Sequence, residues 1–125
     1  MATSLQTPSI AFTAPDPGRT SEQAPVFEAL MALVAEFAEL PRPYIVIHST
    51  GPTFVLQLMH PSLFEAWREA LRLPADKVQL HVTSNSGWLS SWGRFRGVAF
   101  ELTGHGVPLS AEQAQVADES SAVAA

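Results

Sequence analysis

Chemistry in this chain can be sought in two sets of residues. The first is its four histidines, His48, His60, His81 and His105, the side chain type that most often binds metals and moves protons near neutral pH. His48 and His81 can share one face of a sheet if their strands are neighbours, which makes half a metal site. Zinc takes three or four ligands, and no Asp, Glu or further His is placed by spacing to complete the set. Surface or hydrogen-bonded histidines are therefore the expectation. His60 stands before Pro61 at a helix entry, where a cap is needed, and His105 lies in a Gly-His-Gly turn at the end of a strand. Glu65 and Glu69 lie one helical turn apart beside Arg68 and Arg72, the pattern of a charge-laced helix exterior and not of an acid–base pair. The chain has no cysteine, which excludes disulfides, thiolate nucleophiles and Cys-based zinc sites. It carries no Gly-rich phosphate loop, and no Ser–His–acid spacing can be inferred. The expectation is a protein that is not an enzyme, with no catalytic residue, no metal and no cofactor.

The second set is the run GWLSSWGRFRG at residues 87–97, which gathers Trp88, Trp92, Phe95, Arg94 and Arg96. Aromatic residues and arginine are enriched at the centres of protein interfaces. Aromatics interleaved with arginine on a sheet can also stack nucleobases. Which of these the run can do depends on which of its residues face outward, and that is set by the elements around it.

Residues 24–43 carry Phe27, Leu30, Met31, Val34, Phe37 and Ala38 at helical spacing, with Glu28, Glu36 and Glu39 off that stripe. Thr20-Ser21-Glu22-Gln23 can form a capping box, Pro25 suits a first turn, and Pro41 and Pro43 stop the helix, expected over about 24–40. Two β-rich runs then surround Gly51-Pro52. A two-residue loop there pairs Thr50 with Thr53, Ser49 with Phe54, Ile47 with Leu56 and Ile45 with Leu58. One face is then Ile45, Ile47, Phe54, Leu56 and Leu58, and the other Tyr44, Val46, His48, Val55, Gln57 and Met59. A second helix is expected over about 62–73, with Ser62 and Glu65 as a capping box, Phe64, Trp67 and Leu71 as its buried stripe, and Pro74 closing it. Residues 77–84 alternate cleanly, Val78, Leu80 and Val82 inward and Gln79, His81 and Thr83 outward. Asn85-Ser86-Gly87 supplies a turn, and a tight turn at Arg96-Gly97 sets Phe95 opposite Val98. In that register Leu89, Phe95, Phe100 and Leu102 face the core, while Trp88, Trp92 and Arg94 face away beside Ala99, Glu101 and Thr103.

The order α-β-β-α-β-β-β with short hairpin links implies an α+β two-layer sandwich, an antiparallel sheet of about five strands with both helices on one face. Residues 25–109 form the expected single domain. Residues 1–24 and 110–125 are poor in large apolar groups and read as disordered tails. Much of the net charge of −5 sits in those tails, and the central region holds Arg42, Arg68, Arg72, Lys77, Arg94 and Arg96 against seven acids, so broad electrostatic capture of nucleic acid is disfavoured. No apolar run approaches the roughly 18 residues a membrane span needs, and no leader is visible, which points to a cytoplasmic protein.

The outward face so built contains Tyr44, Val46, Val55, Met59, Trp88, Trp92 and Arg94, more apolar than a solvated sheet face should be. These residues are the candidate interaction surface. The expected function is a protein-interaction module that self-associates as a homodimer through this face. The alternative occupants are an unidentified protein, the N-terminal segment folding back through Ile10 and Phe12, a small ligand, and nucleic acid, the last making the chain a nucleic-acid-binding accessory or regulatory protein that uses Trp88, Trp92, Arg94 and Arg96. The segments FEAWREAL (64–71), VQLHV (78–82) and LTGHGVPL (102–109) give the chain a pattern that resembles small uncharacterised proteins of streptomycete-type actinobacterial genomes, often sited among mobile-element genes. The resemblance implies a bacterial cytosolic setting and accessory roles in plasmid or phage biology, and it carries over no catalytic residue.

Overall fold

In the computed structural model, residues 14–48, 53–113 and 115 are described. A 3-10 turn over Thr20–Gln23 runs directly into the first helix, α1, Ala24–Glu36. Glu22 sets that entry, its carboxylate accepting the Arg19 N–H at 3.2 Å. The strands β1 (Tyr44–Ile47) and β2 (Phe54–Leu58) follow, then α2 (Pro61–Ala70), then β3 (Gln79–Val82), β4 (Gly87–Phe95) and β5 (Val98–Gly104). The expected α-β-β-α-β-β-β order is the observed one.

The five strands form one open sheet in the order β1-β2-β5-β4-β3. Three of the four pairings are antiparallel, as expected; β2 and β5 run parallel. Joining parallel neighbours requires a crossover, and α2 with the β3–β4 hairpin supplies it. Alternate residues of the central strands, Phe54, Leu56 and Leu58 on β2 and Phe100 and Leu102 on β5, form one core cluster with Val26, Leu30 and Leu33 of α1 and Phe64 and Trp67 of α2. Both helices therefore pack on the same face, and the fold is an α+β two-layer sandwich.

At Gly104 the second helix all but touches the sheet: a Cβ there would lie 2.5 Å from the Phe64 Cβ. Trp67 is buried beside it, its indole N–H donating to the Pro41 carbonyl at 2.7 Å and its ring 5.9 Å from that of Phe37. The expected Arg96-Gly97 turn is present with both residues at positive φ, +50° and +81°, and pairs Phe95 with Val98.

Several local expectations are corrected. In α1 the buried residues are Val26, Ala29, Leu30 and Leu33, while Phe27, Met31 and Val34 are exposed. The helix is apolar nearly all round, so spacing alone leaves its phase open by a residue, and packing against the sheet decides it. It also ends at Glu36, before the prolines are reached. The first hairpin pairs Ile47 with Phe54 and Ile45 with Leu56, two residues from the expected register, because the connection is longer than two residues. A shift of two keeps side-chain parity, so the faces are unchanged. The expected partners Ser49 and Thr50 and the Gly51-Pro52 turn lie outside the described residues, as do Ile10 and Phe12.

The second helix runs from Pro61 to Ala70, and its cap is His60, whose Nδ1 accepts the Ser62 N–H at 3.1 Å. Ser62 and Glu65 thus form no capping box, and Glu65 instead binds Arg68 through two hydrogen bonds of 2.7 and 2.5 Å. That bond to the guanidinium is the main cause holding the Glu65 carboxyl below its usual range. Leu80 is on the helix side as expected, yet exposed, since β3 is an outer strand that the helices do not cover.

Candidate interaction surface

The registers arrange the outward face in rows. Across the centre, Trp92 stands opposite Glu101, Glu101 beside Val55, and Val55 opposite Val46. One rung further, Gln79, Ser90, Thr103, Gln57 and Tyr44 cross all five strands. The next rung places His81 opposite Trp88, and the strand direction carries His105 to the other side of the same indole. At the turn end, Arg94 pairs with Ala99. Neither α1 nor α2 packs on these rows, since both share their core with the opposite face.

The predicted residues occupy this face unequally. Tyr44, Met59 and Trp92 are exposed, at 70, 54 and 42 % respectively. Trp88 and Val46 are half-buried, and Arg94 is exposed. Val55 is a correction: it is buried between its neighbours on β1 and β5 and offers little surface. Arg94 and Glu101 make no ion pair; Arg94 donates from Nη1 to the Gly97 carbonyl at 2.9 Å. Nor does an arginine cover Trp92. The cation–π contact is made by Arg96, 5.7 Å from the ring of Phe95, which packs toward the helix side. The two arginines considered for nucleic acid therefore diverge, and they do not line one groove.

A ring stack that spacing did not reveal occupies the far row. His81 and Trp88 lie 5.0 Å apart between centroids, and Trp88 and His105 6.4 Å, each pair tilted by 19°. Thr103 steadies the ring on the β5 side, its hydroxyl 3.2 Å from His105 Nε2. Counting back along both strands from the Arg96-Gly97 turn puts His105 opposite Trp88, so the signal was present, but His105 read as part of a turn. The histidines sit on opposite sides of the indole and do not converge on a point. Among the described residues no group of three His, Asp or Glu could hold a metal ion. His48, the other half of the considered metal pair, lies across the sheet at the opposite end of β1.

Away from the sheet face, a cleft of about 550 Å³ lies between residues 17–23 and the pair Ile47 and His48. Its charged residues are Arg19, tied to Asp16 at 3.5 Å, and Glu22, engaged in the turn before α1. Among the described residues no helix is long and apolar enough to cross a membrane. The chain matches no family model, no curated protein and no solved structure.

Proposed function

We propose that this chain is a non-enzymatic protein-interaction module that associates with a second copy of itself through the outward face of its sheet. The observation that carries the reading is Trp92, central on β4 and 42 % exposed on a face that neither helix covers. Large aromatics in such positions are the usual anchors of protein interfaces. Charge favours a like partner. Arg94 and Glu101 sit on the same face without pairing within the chain, so a two-fold axis can bring each against its opposite on the other copy.

The test is Trp92→Glu, measured by light scattering. The substitution buries an unpaired carboxylate in the contact, so the assembly should dissociate while the far-UV spectrum is unchanged. A wild-type chain that stays monomeric at several hundred micromolar would overturn the reading. Titration with a single-stranded oligonucleotide at low salt separates the alternative. Salt-sensitive binding that Trp92→Glu abolishes, with no change in mass, would assign the face to nucleic acid instead.

A further inference from the structure

We infer that β1 is a second contact, at which two copies pair edge to edge in antiparallel register with Val46 opposite Val46. The edge contact stands on the hydrogen bonding and sequence of β1 itself; the gain in face area and the closure at four copies rest on the face contact proposed above.

Among the described residues β1 and β3 are the outer strands of the sheet. Soluble proteins blunt such edges with charge, proline or a covering segment. The two edges differ. Both are preceded by blunting residues, Asp76 and Lys77 ahead of β3 and Arg42 and Pro43 ahead of β1, but Gln79 and His81 interrupt β3 itself. The other edge is Tyr-Ile-Val-Ile without a polar interruption, and both Tyr44 and Ile45 are exposed, one on each side of the sheet.

The hydrogen bonding of β1 fixes what it can offer. His48 donates its N–H to the Thr53 carbonyl at 2.8 Å, and His105 donates to the Leu58 carbonyl at 2.8 Å. In β2, Leu58 and the residues of its parity thus turn their main-chain groups toward β5, and the alternate residues turn theirs toward β1. By the register, Tyr44, Val46 and His48 are the hydrogen-bonded partners in β1. Ile45 and Ile47 are left pointing their N–H and C=O groups out of the sheet. Pro43 has no N–H, so the free donors begin at Ile45.

Two such edges are complementary to each other. With Val46 on a two-fold axis, Ile45 of each copy faces Ile47 of the other, and the two pairs exchange four main-chain hydrogen bonds without using Pro43. Tyr44 then lies beside His48 of the second copy. The axis of an antiparallel pair is normal to the sheet, so both outward faces end on the same side and both helical layers on the other.

Area gives this pairing a reason. Five strands about 4.8 Å apart and about six residues long at roughly 3.3 Å each offer a face of about 500 Å². A standard stable interface takes about 800 Å² from each partner. Joining two sheets across β1 doubles the continuous face to about 1,000 Å². Two edge-paired dimers stacked face to face, their axes perpendicular, close at four copies and leave no β1 edge free.

The chain contains no cysteine, so one introduced thiol reports alone. Residues facing each other in a non-hydrogen-bonded antiparallel pair have Cα atoms about 4.5 Å apart, within disulfide reach. Val46→Cys should convert to a covalent dimer within minutes of mild oxidation, while Met31→Cys, exposed on α1, should not. Ile45→Pro deletes an outward donor and keeps the ladder to β2, so it should halve the native mass of the wild-type chain with an unchanged far-UV spectrum. Cross-linking of Val46→Cys no faster than that of Met31→Cys overturns the edge contact, and so does a folded Ile45→Pro chain of wild-type mass. Should Ile45→Pro fail to fold, the cross-linking comparison decides. If Trp92→Glu keeps the wild-type mass while Val46→Cys cross-links, the edge stands and the face contact falls. If Trp92→Glu dissociates the chain to monomers and Val46→Cys stays reduced, the face contact stands and the edge falls.

Discussion

The two faces of this sheet are made by the same strands, and adjacent residues obey different rules. On the helix side Phe54, Leu56, Leu58, Phe100 and Leu102 are sealed, and α2 sits so close that Gly104 has no room for a side chain. On the outward side their immediate neighbours include Gln57, Glu101, Thr103 and the exposed Trp92. The helix face is built for shape, where one extra methyl is felt. The outward face is built from large amphipathic groups that keep accessible area, with polar groups between them. A face that only had to be solvated would not need two tryptophans, a tyrosine and a methionine.

Two tryptophans measure the contrast most directly. Trp67→Ala removes a buried ring and its hydrogen bond to Pro41, and should cost about 3–5 kcal/mol, most of the stability of a small domain. Trp92→Ala should cost less than about 1 kcal/mol in the folding of a single chain at dilute concentration, since its ring is already substantially in water. Urea denaturation of both variants checks the pair. Equal losses would mean that Trp92 lies in a second core and that the outward face is not a contact surface. Next in size is Gly104→Ala, which drives a methyl into Phe64 and should cost about 1–3 kcal/mol. Its neighbour Thr103→Ala, buried on the outward side, loses the bond to His105 and one methyl, together about 1–2 kcal/mol.

Legibility in the sequence followed the same division. Where one face of an element is apolar and the other polar, side-chain parity was readable: α2 has Phe64 and Trp67 buried against an exposed Glu65 and Glu69, and the β4–β5 hairpin follows from its turn. In α1 both flanks are apolar, so Phe27, Met31 and Val34 looked as eligible for the core as Val26, Ala29 and Leu33. The parallel β2–β5 pairing was invisible because it joins segments separated by a helix and a hairpin, and no local signal records it. Of the surface residues, Trp88, Trp92 and Arg94 lie on the expected side through strand parity alone. The burial of Val55 depends on which strands adjoin, which parity does not give, whereas the Trp88–His105 half of the ring stack follows from the Arg96-Gly97 turn and was missed because His105 read as part of a turn.

The smallest effect uses two adjacent serines. Ser90 and Ser91 are consecutive residues of β4, both fully buried, and among the described residues the hydroxyl oxygen of each lacks a hydrogen-bond partner. Parity sends them to opposite faces: Ser91 stands with Leu102 under the helices, and Ser90 with Thr103 on the outward side. A buried hydroxyl without a partner carries a desolvation cost of about 1–3 kcal/mol, which alanine removes at the loss of one small group. Ser91→Ala should therefore gain about 1 kcal/mol, seen as a rise of roughly 4–8 °C in melting temperature for a domain of this size. Ser90 is as buried, but the polar Gln79 and Thr103 flank it on the neighbouring strands, so its hydroxyl is in the less apolar setting and Ser90→Ala should gain less. A loss of stability in Ser91→Ala would show that its hydroxyl is satisfied, by a buried water or by a rotamer bonding a carbonyl. The helix face would then be less dry than the apolar layer around Leu102 implies, and the contrast between the two faces would be one of degree.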